Sequence, residues 1–296
     1  MRVLVLGAGG QLGQELCRQL ALLGHEAVGL KRADLDITEP QAVEEQLGQV
    51  GPERVVNCAA YTRVDDAEAN PELAFAVNRD GAGHVARACA QLGVPLCHIS
   101  TDFVFSQDPP AEPRPWSETD TPQPLGVYAQ SKRAGELVCQ EQHRELFLVR
   151  TAWLFGGTGP NFPLAICRAA AEGRSLRVVE DQTGTPTWTG TLAPALIELL
   201  QTQSYGLYHL TASGATTWLE FARATLAEVG IEGQVQPTTT SAWAAPAPRP
   251  RYSVLENRRW QELGRAPLEG WRDGLRRYIS AERGGALAGL SPSRTA

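Results

Sequence analysis

The amino-acid sequence predicts an α/β fold built on a doubly wound parallel sheet, with a smaller C-terminal lobe interleaved into it. Three observations carry that reading. Short, wholly apolar runs alternate with stretches at helical spacing through the first half of the chain; a glycine-rich turn follows the first run; and the alternation loosens after Trp153. Strands that are apolar throughout are buried on both faces, which is the habit of parallel sheets.

In chain order, Arg2–Leu6 reads as a strand and Leu12–Leu23 as a helix, followed by strands at Glu26–Leu30 and Arg54–Asn57, the latter behind a Gly51-Pro52 turn. Leu73–Leu92 reads as one long helix, Pro95–Ser100 as a strand, Tyr128–Gln142 as a helix and Leu146–Arg150 as a strand. Right-handed crossovers between such strands give a Rossmann-type sheet. Gln107–Pro124 has no periodicity, and loops of that length are functional or disordered. Its acidic run Glu118–Asp120 reads as solvated. Beyond Trp153 the spacing predicts helices at Pro163–Glu172, Thr189–Thr202 and Trp218–Glu228, strands at Leu176–Val179 and Gly206–Leu210, and a linker at Ala242–Pro250. The division that follows is a Rossmann domain over 1–152, with about 175–212 returning to its sheet, and a second lobe mainly over 153–282. The Gly/Ser/Ala-rich stretch 283–296 reads as a disordered tail.

The composition of the 296 residues, 43% hydrophobic and 20% charged, is that of a globular chain. A net charge of −6 gives no electrostatic footprint for nucleic acid or an anionic membrane. No apolar run reaches spanning length, and the first residues carry no secretion signal pattern. The six cysteines are scattered without a CxxC or a His/Cys ligand cluster, so reduced thiols and a cytoplasmic location are expected.

Gly7-Ala8-Gly9-Gly10-Gln11-Leu12-Gly13 directly follows the first strand and opens a helix. Glycines let backbone approach a pyrophosphate, and free N–H groups with the helix dipole stabilise its charge. The turn is therefore a dinucleotide cradle. An acid at the end of the second strand would hold a ribose 2′-hydroxyl, whereas a base would hold a 2′-phosphate. Lys31 and Arg32 stand there, which favours NADPH and leaves NADH open; Asp36 and Ile37 come next, placed to border the adenine.

Tyr128 and Lys132 are four residues apart on a helix and so share a face. Hydride delivered to a carbonyl leaves an alkoxide that must be protonated. A phenol can donate that proton, and a neighbouring ammonium is expected to lower its pKa from the ordinary value near 10. Such pairs also occur on the surfaces of many helices. What raises this one is Ser100-Thr101-Asp102 at the carboxyl end of a strand, where doubly wound sheets bind ligands, and Asn57-Cys58-Ala59-Ala60-Tyr61 after the third strand, where small residues let a cofactor lie against backbone. His98 and His209, within apolar strand runs, read as buried structural residues. Asp181-Gln182 reads as a turn cap.

With those features in place the chain resembles the extended short-chain dehydrogenase/reductases and, among them, the dTDP-4-dehydrorhamnose reductase family. The likeness rests on Asn57–Asp65, Ser100–Phe105, Arg150-Thr151-Ala152-Trp153, Asp181–Thr187 and Tyr208-His209-Leu210. It implies reduction of the 4-keto group of dTDP-4-dehydro-L-rhamnose to dTDP-L-rhamnose, and a homodimer is the assembly considered. By position it implies that Thr101 polarises the carbonyl, Tyr128 donates the proton and Lys132 orients the cofactor. Gly10, Gln11, Leu12, Asp36, Ile37, Ala59, Ala60 and Tyr61 fall at cofactor positions. Thr101, Asp102, Phe103 and Trp153 fall at the sugar nucleotide, Phe103 standing where the family commonly has tyrosine. Asp181-Gln182, on the same likeness, lies near the nucleotide. Some family members bind a dimer-bridging magnesium through a carboxylate shortly after Pro-Thr; this chain reads Trp188-Thr189-Gly190 there, although Glu15 is retained, so no metal is expected. Another nucleotide-sugar 4-ketoreductase, a 4-epimerase and a non-catalytic regulatory subunit resembling that of methionine adenosyltransferase are the alternatives. Stoichiometric NADPH oxidation separates the reductases from the other two.

Overall fold

The computed structural model describes residues 1–108, 112, 114–157 and 159–288. Six parallel strands form the main sheet: β1 (Arg2–Leu6), β2 (Glu26–Leu30), β3 (Arg54–Asn57), β4 (Leu96–Thr101), β5 (Leu146–Thr151) and β7 (Gly206–His209), in the order β7-β5-β4-β3-β1-β2. Strand β6 (Leu176–Val179) lies elsewhere, paired in parallel with β8 (Val235–Thr238).

The two faces follow from the period of two along each strand. Val3 and Val5 of β1, with Phe147 and Val149 of β5, face α1 (Gln11–Leu22) and α6 (Thr189–Leu200), whose Leu16, Leu20, Leu192 and Leu196 complete that core. Leu4 and Leu6, with Leu146 and Leu148, face α2 (Pro40–Val50), α3 (Ala82–Leu92) and α4 (Gly126–Gln142). Every one of those strand residues is 4% exposed or less, so each face is dry and the wholly apolar runs are accounted for. A separate core binds α5 (Phe162–Ala171), α7 (Trp218–Val229) and α8 (Trp271–Glu282) around Phe155, Phe221 and Tyr278. Asn161 and Thr217 cap α5 and α7 by accepting the N–H of Leu164 and of Glu220.

Four expectations are corrected. Leu73–Leu92 is not one helix: Pro71–Phe75 runs through a wider π turn, Ala76–Gly81, into α3. The side chain of Asn78, inside that turn, is committed to the loop after β3 and to α4, a local demand that regular helix geometry does not meet. Leu176–Val179 does not return to the main sheet with α6 and β7, because Leu176 and Val178 are buried among the helices of the second lobe. Arg283–Ala288 forms turns rather than a loose tail, pinned by the buried Leu287; 289–296 lie outside the described residues. Glu118 is not solvated: it is 9% exposed and accepts the N–H groups of His209 and Arg259, while Arg114 holds Asp120.

The same long loop joins the lobes. Trp116 stacks on Phe105 at 5.0 Å, donates its N–H to Val254 at 2.8 Å and accepts that of Glu256 at 2.8 Å. Both histidines read as structural are buried as expected.

Helix α4 approaches the π turn more closely than any side chain permits. A Cβ on Gly135 would lie 2.0 Å from the carbonyl oxygen of Asn78. Gly135→Ala should therefore lower stability by about 1–3 kcal/mol, the usual cost of overpacking; urea unfolding checks it, and an unchanged midpoint would show that α4 can withdraw freely.

Candidate active site

In the sheet order the chain steps from β1 outward to β2 and then back to β3 on the other side, so direction reverses at the β1/β3 boundary. Ligands of doubly wound sheets bind in the crevice at the carboxyl ends of such strands. The glycine turn lies there. Gly7 has φ +74°, and a Cβ on it would meet the nitrogen of Ala59 at 2.6 Å. A Cβ on Gly13 would lie 2.4 Å from the carbonyl oxygen of Gly7. The turn, α1 and the loop after β3 thus converge backbone to backbone. Gly10, preceding α1, offers no side-chain cap, so the first N–H groups of the helix, at Gln11 and Leu12, stay open to an anion. The amide nitrogen of Gln11 donates to Pro160 at 3.0 Å.

Lys31 lies beside this turn: its Cγ is 3.5 Å from where a Cβ on Gly9 would be, and it makes no ion pair among the described residues. Arg32 is exposed and sits 3.6 Å from Asp36. The Asp36 carboxylate accepts from the backbone and hydroxyl of Thr38, which, with Arg32, holds its pKa below the ordinary value. Ile37 is buried against Gly81. The loop after β3 is held by two asparagines. Asn57 accepts the N–H of Ala59 at 3.0 Å, and Asn78 accepts that of Tyr61 at 2.8 Å. Ala60 lies between them. The Tyr61 phenol is engaged by Asp66 and Arg63.

Tyr128 and Lys132 stand at the other side of the crevice. Asn78 donates to Ser131 on α4 at 3.0 Å, and Ser131 donates to the carbonyl of Tyr128 at 2.9 Å, which ties the loop after β3 to α4. Lys132 is 2% exposed and donates to the carbonyl of Ile99 on β4 at 2.8 Å. Burial brings its pKa down to about 8. Tyr128 differs from the expectation. Burial pushes its phenol up to about 12, opposed by the Thr101 hydroxyl and reinforced by Asp102; the ammonium of Lys132, turned to Ile99, does not lower it.

Thr101, at the end of β4, donates to Asp102 at 3.2 Å and accepts the N–H of Phe103 at 3.2 Å. Asp102 is 2% exposed, its Oδ2 finds no partner among the described residues, and burial raises its pKa to about 7. Phe103 packs edge-on against Tyr128, with ring centroids 5.4 Å apart. From Phe103 a cavity of about 670 Å³ runs into the second lobe, lined by Trp153, Trp218 and Trp243 and by Arg168 and Arg177. Trp153 has φ +45°, a left-handed conformation that a bulky residue adopts only when its surroundings impose it. Its indole stacks on Trp218 at 3.6 Å, and a Cβ on Gly184 would come within 2.4 Å of it.

All seventeen residues singled out in the sequence lie on the segments that meet at this crevice and cavity, except that the Asp36 side chain is spent locally. Asp181 caps the turn at Thr240. The sequence reading quoted Asn57 without giving it a role and missed Asn78, Trp218, Trp243, Arg168 and Arg177. The two asparagines act through backbone groups and carry no spacing signal, and Trp218 at the start of a helical pattern reads as core. Gly190 is fixed by packing: a Cβ there would lie 2.4 Å from the Trp188 indole, so a carboxylate does not fit unless Trp188 moves. Glu15 is held by Arg18 and Gln19.

The family model described as RmlD substrate binding domain matches residues 1–283. A dTDP-4-dehydrorhamnose reductase of Mycobacterium tuberculosis is 43% identical over 286 residues, 95% of this chain and 93% of the relative. A Streptomyces antibioticus protein named a probable dTDP-4,6-dihydroxy-2-methyloxan-3-one 4-ketoreductase is 40% identical over 281 residues, 93% and 94% of the two chains. The crystal structure of a dTDP-4-dehydrorhamnose reductase from Bacillus anthracis in complex with NADP superimposes with a TM-score of 0.91 at 35% identity, covering 95% of this chain and 99% of that one.

Asp102 yields a measurable cost. Its unfolded pKa is near 4 and its folded value about 7, so stability falls as pH rises from the first value to the second and then levels off. Asp102→Asn should melt higher than the parent at pH 8, with the difference vanishing near pH 4. Equal melting temperatures at both pH values would mean that the carboxyl is not penalised by burial.

Proposed function

The chain belongs to the RmlD substrate binding domain family, and from that premise we propose that it reduces the 4-keto group of dTDP-4-dehydro-L-rhamnose with NADPH to give dTDP-L-rhamnose. The observation that supports this best is one junction: Thr101, Tyr128 and Lys132 lie where the glycine crevice meets the aromatic cavity that begins at Phe103. The crevice suits a dinucleotide because Gly7 and Gly13 let the turn, α1 and the loop after β3 pack backbone against backbone, which fixes the uncapped N–H groups at the start of α1. Gly10, Gln11 and Leu12 would hold its pyrophosphate, Lys31 and Arg32 its 2′-phosphate, and Ala59, Ala60 and Tyr61 would border it. When bound, NADPH supplies the hydride.

The residues of the chain do the rest. Thr101 hydrogen-bonds the C4 oxygen, and Tyr128 gives that oxygen its proton. A phenol with a pKa of about 12 is fully protonated at neutral pH and still far more acidic than the alcohol it creates, so the transfer runs downhill. Lys132 uses one N–H on Ile99 and keeps two for the ribose and the developing phenolate. Asp102 has a free oxygen for a sugar hydroxyl, and Trp153, its stacking on Trp218 leaving the ring held, packs on the deoxysugar. Six free cysteines fit the cytoplasm as the compartment.

The assay is NADPH oxidation by the purified chain with dTDP-4-dehydrorhamnose, with the product sugar identified. Tyr128→Phe should lower kcat by about two orders of magnitude or more with NADPH binding retained; an unaffected rate would remove the phenol from the reaction. Replacing Lys31 and Arg32 together with alanine should raise KM for NADPH much more than for NADH, and an equal rise for both would remove the 2′-phosphate role.

A further inference from the structure

Glu136 and Arg150 form an ion pair closed to solvent, 0% and 1% exposed. The guanidinium donates from Nε to Oε1 and from Nη2 to Oε2, both at 2.8 Å. Ser100 donates to Oε1 at 2.6 Å and Arg133 to Oε2 at 2.6 Å. Each oxygen thus has two donors, and each donor belongs to a segment carrying a site residue. Ser100 precedes Thr101 on β4, Arg133 follows Lys132 on α4, and Arg150 on β5 stands three residues before Trp153. Glu136 itself is one turn beyond Lys132 and two beyond Tyr128 on the same helix.

We infer that Glu136 is a positioning residue for the reduction: its carboxylate locks α4 to the ends of β4 and β5, so that Tyr128, Lys132, Thr101 and Trp153 keep one mutual arrangement. This rests on the reading of Tyr128 and Lys132 given above. A buried ion pair is a weak source of net stability, since desolvation offsets the attraction, and an apolar pair of similar volume often serves the fold as well. What such a substitute cannot supply is a fixed charge at a fixed place.

That charge has an object. The groups that act on Lys132 are Glu136 and Cys139 on its own helix, Cys58 from the loop after β3, and His98 from β4. Burial keeps both thiols protonated and His98 neutral, so Glu136 is the one anion among them at neutral pH. Arg150 from β5 and Arg133 on α4 are both paired to that carboxylate.

The test is Glu136→Gln, assayed as kcat and KM against pH with the ketosugar and NADPH. The expected result is a fall in kcat of about tenfold or more and an alkaline limb displaced to lower pH by about one unit, the usual reach of one neighbouring charge. A purely structural role would lower the melting temperature and leave the limb in place. Should the single variant fail to fold, the double variant Glu136→Met/Arg150→Met, which leaves no solvent-closed guanidinium without its carboxylate and frees only the partly exposed Arg133, takes its place and should melt near the parent while showing the same loss. A folded variant of either kind with parental kcat and an unmoved limb overturns the inference. A parent chain that does not oxidise NADPH with the ketosugar overturns the underlying reading instead, and the two failures are separate.

Discussion

The constraint on which the architecture turns is how near three stretches of backbone come to one another at the ends of β1 and β3. Gly7, Gly13 and the nitrogen of Ala59 occupy a space too small for even one added methyl group. That closeness decides where α1 begins, where its unsatisfied N–H groups point, and how the loop after β3 must run. Asn57 and Asn78 then hold the loop, and Asn78 passes the register on to α4 through Ser131. The glycine turn packs on that loop, and the loop is hydrogen-bonded through Asn78 and Ser131 to the backbone of Tyr128.

The electrostatics of the crevice run against ordinary tuning. Dry surroundings hold Tyr128 as a phenol, bring Lys132 toward neutrality and raise Asp102 toward protonation. Each group is displaced toward its uncharged form, the direction burial always favours. These three groups are thus held nearer their uncharged states, while Asp36 and Glu136 keep hydrogen-bonded charges. The cost is carried by orphaned atoms such as Oδ2 of Asp102 and by the left-handed backbone of Trp153.

Much of this was legible in the residues themselves. The wholly apolar runs gave the parallel sheet because β4 and β5 have no solvent face, and Gly7–Gly13 and Tyr128/Lys132 were legible as a turn opening a helix and as a pair on one helix face. Periodicity failed where a single side chain overrode it: the apolar pattern across Leu73–Leu92 continues through the π turn that Asn78 requires. It failed again for Leu176–Val179, because a strand pattern does not say which partner it will find, and here Val235–Thr238 competes with the main sheet. Glu118 looked solvated because its charge is visible in sequence while the two N–H groups awaiting it, on His209 and Arg259, are not. The expected lowering of Tyr128 assumed an ammonium free to face the phenol, and the carbonyl of Ile99 claims it.

The position of β7 has a consequence for how the chain reaches this state. It closes the β5 side of the sheet, yet β6, α5 and the stacked Trp153 come before it in the chain. During synthesis the edge of β5 therefore stays unpaired, and the face that α6 covers stays bare, until about seventy per cent of the chain has emerged. The N-terminal half holds Thr101, Tyr128 and Lys132 but not the strand and helix that cover β5. Fragments cut between the lobes would then expose a sticky edge rather than yield two working halves.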